Sequence, residues 1–187
     1  MKADITMLKW LIGVLIIMMV VAGTIALTSE SDSHPLASFD MQDKNVVETV
    51  QFLEANTFDR LTFAASIDGE TLRVQDEEST KEYSLPDDMF YASIAPYVDS
   101  THACGIHNLV TCQGEMNEEA FDVVVRNDSG DIVFDDTVVA KSNGFFGVWL
   151  PRDIEGTIDI EHENMNVQGA ISTFADSNTC YTDFQLQ

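Results

Sequence analysis

Hydrophobic and polar positions change rhythm several times along the chain. The first stretch has no rhythm at all. Trp10 to Leu27, WLIGVLIIMMVVAGTIAL, is an uncharged run of 18 residues, the length of a membrane-crossing helix. Lys2 and Lys9 precede it, against the single acid Asp4, and acidic residues dominate after it. That asymmetry places the N-terminus in the cytoplasm and the remainder outside. Residues 1–27 are therefore expected to be a membrane anchor or signal segment, with residues 10–27 as the span. Cleavage near Ala26 would instead secrete the rest. Residues 28–37, TSESDSHPLA, form a polar linker.

Next comes a helical period. Within FDMQDKNVVETVQFLEAN, Val46, Val47, Val50, Phe52 and Leu53 recur at near-helical spacing, which predicts an amphipathic helix over about 40–56. The period then shortens. LTFAASI and TLRVQD are strand-like and flank Asp68-Gly69, a hairpin turn signal. KEYSLP adds a third short strand, and FYASIAPYV, residues 90–98, an apolar one. Residues 38–98 are thus predicted as a small α+β unit. From Phe121 onward FDVVVRN, DIVFDDTVVA, GFFGVWLP, GTIDIEHE, VQGAISTF and CYTDFQLQ are short β-rich runs separated by turn residues. This spacing predicts an antiparallel β-sandwich, so residues 99–187 are expected to be a β-rich domain. Phe145 and Trp149 are expected in its core. The fold class is α+β: an N-terminal membrane helix, a helix-plus-hairpin unit, then a sandwich-like domain.

Charge changes what this domain can bind. Nine Lys and Arg stand against 32 Asp and Glu, a net charge of −23 over 187 residues. Such a surface repels nucleic acid and anionic lipid. Apolar residues at 45% still suffice for a core. The chain has three cysteines, an odd number, so at least one cannot pair within it.

Two of the three lie in THACGIHNLVTCQGE, residues 101–115. His102, Cys104, His107 and Cys112 form a donor set, and Cys180 opens the last predicted strand, where it could meet them in space. Cys104 and His107 are spaced C-x2-H, which lets both reach one centre. Thiolate with imidazole suits Zn²⁺ and Cu⁺. A Cys104–Cys112 disulfide is an equally open reading, with Cys180 as a small buried hydrophobe. His34 and His162 are expected to be uninvolved. No P-loop, G-x-S-x-G or H-E-x-x-H motif occurs. An acidic environment raises a thiol's pKa, which disfavours a Cys/His hydrolase, whereas a bound cation deprotonates the thiol outright. No calcium-loop motif is present, so Glu115 is expected to tune charge and not to ligate.

FYASIAPYVDSTHACGIHNLVTCQGE, NGFFGVWLPRDIEGTIDIEHE, a late Thr-Cys pair and the upstream LPDDMFY resemble the CueP-type copper-binding proteins of bacterial envelopes. The resemblance runs from about residue 35 to the C-terminus and is strongest over 86–154. It implies an envelope protein of copper resistance that binds copper through Cys104, Cys112 and Cys180, with His107 and His102 nearby, and reduces Cu²⁺ to Cu⁺. It also implies dimerisation through the N-terminal unit. The apolar N-terminus departs from the family pattern and implies a tethered form.

Thiol chemistry makes the disulfide and the metal two redox states of one site, with Cys104–Cys112 the expected oxidised pair. His107, between these cysteines, is expected to capture Cu²⁺, and the cysteines to retain Cu⁺. The expected function is a membrane-tethered copper-binding protein, a stoichiometric cupric reductant in place of a turnover enzyme. Its expected partners are copper ions, an envelope copper acceptor and a thiol-reducing partner. The alternative is a cell-surface β-sandwich interaction module with a structural Cys104–Cys112 disulfide. A thiol–disulfide oxidoreductase is disfavoured because no C-x-x-C is present.

Overall fold

The computed structural model describes residues 34–187. The expected membrane segment at 1–27 and most of the 28–37 linker lie outside the described residues. Among the described residues no helix is long and apolar enough to cross a membrane.

The helix α1, Val46–Ala55, begins later than its apolar spacing suggests. A 3-10 turn at Ala37–Phe39 ends at Asp40, whose φ of 58° is left-handed and not helical. The helix starts only where its amide groups find a cap. Asn45 Oδ1 accepts from the Glu48 amide at 2.9 Å, and Glu48 Oε2 accepts from the Asn45 amide at 3.2 Å. This reciprocal box satisfies two otherwise unpaired donors. Val46, Val50 and Leu53 form the buried stripe.

The predicted hairpin forms as β1, Ala64–Ile67, and β2, Thr71–Gln75. Asp68 Oδ1 shapes its turn by accepting from Glu70 and Thr71 amides at 2.9 and 2.8 Å. β3, Thr80–Ser84, extends the sheet on one side. On the other side lies β5, His107–Asn108, a two-residue strand that no periodicity announced.

β4, Met89–Ile94, comes between these in sequence and belongs to a different sheet. Its run MFYASI is buried from Phe90 onward because both of its faces are covered. β4 pairs with β8, Phe146–Pro151, antiparallel, and with β11, Cys180–Tyr181, in parallel. Phe90, Ala92, Ile94, Phe146, Val148 and Leu150 face one core. Tyr91 and Trp149, one residue out of phase, pack with Val50 and Leu53 of α1 and with β1 and β2 residues. The period of two thus serves two cores from one sheet.

The third sheet, in order β10-β9-β6-β7, comprises β6 Ala120–Asn127, β7 Ile132–Val139, β9 Glu155–His162 and β10 Met165–Ser172. Phe121, Val123, Val125, Ile158 and Ile160 pack against β4 and β8. The architecture is mostly antiparallel β with one helix, and sandwich-like. The sandwich is not confined to residues beyond 98, because its inner sheet is built on β4. Residues 34–187 form one compact unit. Phe145 is buried as expected, and Trp149 is partly buried against the α1 core.

Candidate metal centre

Two sheet edges meet at the Cys/His segment. β5 is the edge of the first sheet, held to β1 through Ile67↔His107 and Ser66↔Asn108. β11 is the edge of the central sheet, held to β4 through Cys180↔Ser93. Thr179 ties the two edges together. Its hydroxyl accepts from the His107 amide at 3.1 Å and donates to the Ile67 carbonyl at 2.5 Å. Its carbonyl accepts from the Ser93 amide at 2.9 Å. The Thr179 and Cys180 amides both donate to the Gly105 carbonyl, at 2.9 and 3.1 Å.

The loop after β5 is bent by Asn108, whose Oδ1 accepts from the Val110 and Thr111 amides at 3.0 Å each. This side-chain-made turn returns Cys112 to β5. The Cys112 amide donates to the Asn108 carbonyl at 3.1 Å, and the Asn108 amide approaches Cys112 Sγ at 3.4 Å. Beyond it, Gly114 passes against the Gly144 turn. A Cβ on Gly114 would lie 2.6 Å from the Gly144 carbonyl oxygen and 2.9 Å from Ala95 Cβ, so no larger residue fits without moving backbone.

All three sulfurs come together. Cys104 and Cys180 form a disulfide with Cα atoms 5.5 Å apart. Cys112 is the free cysteine among the described residues, with its Sγ 3.9 Å from that of Cys104. The expected oxidised pair Cys104–Cys112 is therefore corrected to Cys104–Cys180. The parallel docking of β11 on β4 brings Cys180 to Cys104, while the Asn108 turn holds Cys112 beside the bond. Cys180 is buried, but as a member of this cluster and not as an isolated core residue.

The two histidines occupy contrasting places. His107 is 1% exposed, and its Nδ1 has no hydrogen-bond partner. An unpaired buried polar atom is costly and calls for an explanation. Burial, and secondarily the nearby His102, push its pKa down to about 3, so the imidazole is neutral and offers a lone pair. His102 is exposed. The Phe145 ring packs against both, with centroids 4.7 Å from His107 and 6.4 Å from His102. This burial does not suit His107 for first capture of an ion from solvent, the role its sequence position suggested.

Potential ligand atoms of His107, Cys112 and Cys180 all lie within 4.8 Å of one another, as do those of His102, Cys104 and Cys112. Soft sulfur with neutral imidazole fits copper or zinc chemistry. Burial pushes the Cys112 thiol above its usual range, partly offset by the Asn108 amide. The cause is desolvation, not the acidic surface anticipated above. A bound cation would remove that proton.

Of the other candidates, Glu115 is a loop clamp. It accepts from the amides of Val98, Asp99 and Ser100, the last at 2.8 Å. His34 hydrogen-bonds Tyr83 at 3.0 Å, and His162 packs on Phe121. Sequence reasoning gave no role to Thr179 or Asn108. Asn108 follows His107 directly and carries a turn signal; Thr179 entered only as the first half of the late Thr-Cys pair.

Residues 45–185 match the family described as periplasmic copper-binding protein CueP. The crystal structure of S.CueP aligns with a TM-score of 0.79 and 36% sequence identity, covering 86% of this chain and 99% of that one. No curated protein matches. A family match spanning most of the chain agrees with the sulfur–imidazole cluster at the two sheet edges: the chain belongs to the CueP family of periplasmic copper-binding proteins.

Proposed function

We propose that this protein binds copper outside the cytoplasm in copper resistance, reducing Cu²⁺ with the Cys104/Cys180 thiol pair and holding Cu⁺ on sulfur with His107. The observation that carries this reading is the orphaned Nδ1 of buried His107 beside a packed cluster of three cysteines, two of whose sulfurs share a ligand-sized space with it. Closing the Cys104–Cys180 bond releases two electrons and two protons. Two Cu²⁺ become two Cu⁺, and Cys112 remains a thiol. Cu⁺ accepts few, soft ligands, so Cys112 with imidazole retains a site in the oxidised protein. Residues 10–27 would tether the protein to the membrane, and an acceptor and a thiol reductant would complete the cycle. Dimerisation through the N-terminal unit is part of this reading.

The reading of a β-sandwich interaction module needs only a structural disulfide, which Cys104–Cys180 would supply. It gives no reason for a free thiol and an unpaired imidazole beside that bond.

The test is an anaerobic titration of the fully reduced protein with Cu²⁺, using a Cu⁺-specific chromophore and mapping of the resulting disulfide. Two Cu⁺ per chain and a Cys104–Cys180 bond are expected, with the double variant Cys104→Ser/Cys180→Ser, which leaves a single thiol, losing the two-electron reduction. Thiols unchanged by Cu²⁺, with no Cu⁺ formed, would overturn the reading.

A further inference from the structure

The two donor groups at the site are not equivalent, although they share Cys112. His107, Cys112 and Cys180 form the deeper group, since His107 and Cys180 are each 1% exposed. His102, Cys104 and Cys112 form a shallower one, whose imidazole faces solvent. Two clefts, of about 180 and 530 Å³, converge on His102, and both are also lined by Tyr97 and Thr101. The larger is lined by Cys104 and Cys180 as well as His102, so an ion in it has the exposed imidazole and these sulfurs in the same cleft. The loop carrying His102 is fixed in place. Thr182 Oγ1 donates to the His102 carbonyl at 2.6 Å, Thr101 Oγ1 donates to the Thr182 carbonyl, and Glu115 clamps the preceding amides.

We propose that His102, with Cys104 and Cys112, forms an outer copper position through which Cu²⁺ enters before the ion, reduced to Cu⁺ by an electron from the Cys104/Cys180 thiol pair, is held by Cys112 and His107. This rests on the copper reading above and divides that site into an entry and a retention position. Imidazole is a good ligand for Cu²⁺, and sulfur for Cu⁺. An exposed imidazole therefore belongs at the entrance, where the ion still carries water. The orphaned Nδ1 of His107 marks an inner environment that has an unused donor and excludes solvent. Cys112 is common to both groups. An ion moving inward exchanges His102 for His107 while staying bound to the same sulfur, and so is never released. Phe145 packs against both rings.

The test compares uptake with retention in the full, reduced protein under anaerobic conditions. Uptake is followed by stopped-flow absorbance of the thiolate–Cu²⁺ charge-transfer band. Retention is measured by competition for Cu⁺ with a chromophoric chelator. His102→Ala, at an exposed position, should slow the second-order uptake step at least about tenfold and leave Cu⁺ affinity within about twofold. His107→Gln, which keeps a polar group in the pocket, should show the reverse: near-normal uptake and Cu⁺ affinity reduced about tenfold or more. Unchanged uptake in His102→Ala would overturn the outer position, as would equal losses of Cu⁺ affinity in both variants, which describe a single site. Wild-type protein that retains no Cu⁺ would instead overturn the copper reading beneath it.

Discussion

The Thr179 hydroxyl shows how a single buried group can set a site's geometry. It satisfies both the His107 amide and the Ile67 carbonyl, and it is itself fully buried. Thr179→Val keeps the shape and strands both partners. It should cost about 1–3 kcal/mol, the penalty of unsatisfied buried polar groups, with Thr179→Ser milder. Urea unfolding would measure this, and Cu⁺ affinity should fall with it because His107 loses its anchor. His102 and His107 could both be named from sequence spacing, but their opposite exposures could not. The difference arises because β5 pairs His107 with Ile67, forty residues earlier, and a two-residue strand leaves no periodic trace. The disulfide partner was hidden for the same reason: spacing favoured the near cysteine, and tertiary contact supplied the far one.

At the level of elements, the helix and the central sheet are joined by a partly buried polar pair. Tyr91 of β4 donates to Glu54 of α1, and burial raises the Glu54 pKa above its ordinary value of 4.5. The folded protein thus holds a proton that the unfolded chain loses. This contribution to stability is full below about pH 4.5 and is lost as pH rises through the elevated folded value. Glu54→Gln keeps an acceptor for Tyr91 and removes the titration. Wild type should therefore lose stability relative to Glu54→Gln as pH rises above about 4.5, as read by denaturant unfolding across a pH series. An identical pH slope in both proteins would contradict this. Element boundaries show which local signals are legible. The Asp68-Gly69 turn could be placed from its residues, and the Asn45-x-x-Glu48 box lay in the sequence as a start signal that the broader apolar pattern obscured. The strand character of the runs after Phe121 was evident. The assignment of β4 to the sandwich was not, because its partner β8 lies more than fifty residues later.

For the molecule as a whole, the disulfide closes a loop of 76 residues. In the chain-entropy account, such a closure stabilises the folded state by about 4–5 kcal/mol, several-fold the worth of most single contacts. Reduction should therefore lower the thermal midpoint measurably in calorimetry. On the proposed copper reading, Cu⁺ binding to the folded site should restore much of the loss, by mass action. A reduced protein whose midpoint is indifferent to Cu⁺ would mean that metal and fold are uncoupled. The charge of −23 adds a background self-repulsion that salt screens, so all three states should be compared at one ionic strength.

The parallel docking of β11 on β4 also carries a consequence for biogenesis. A chain emerging from a membrane in sequence order, as the expected export implies, would present Cys104 and Cys112 together, only eight positions apart, while Cys180 is still 68 residues behind. At ordinary synthesis rates that interval is roughly 3–14 s, time enough for an oxidant to join the two early thiols. The bond easiest to form during emergence is thus not the one the finished fold contains. Newborn molecules with a Cys104–Cys112 bond would have to exchange it before Cys180 could pair with Cys104 beside β4, so the order in which the cysteines arrive would set how the three-cysteine cluster matures.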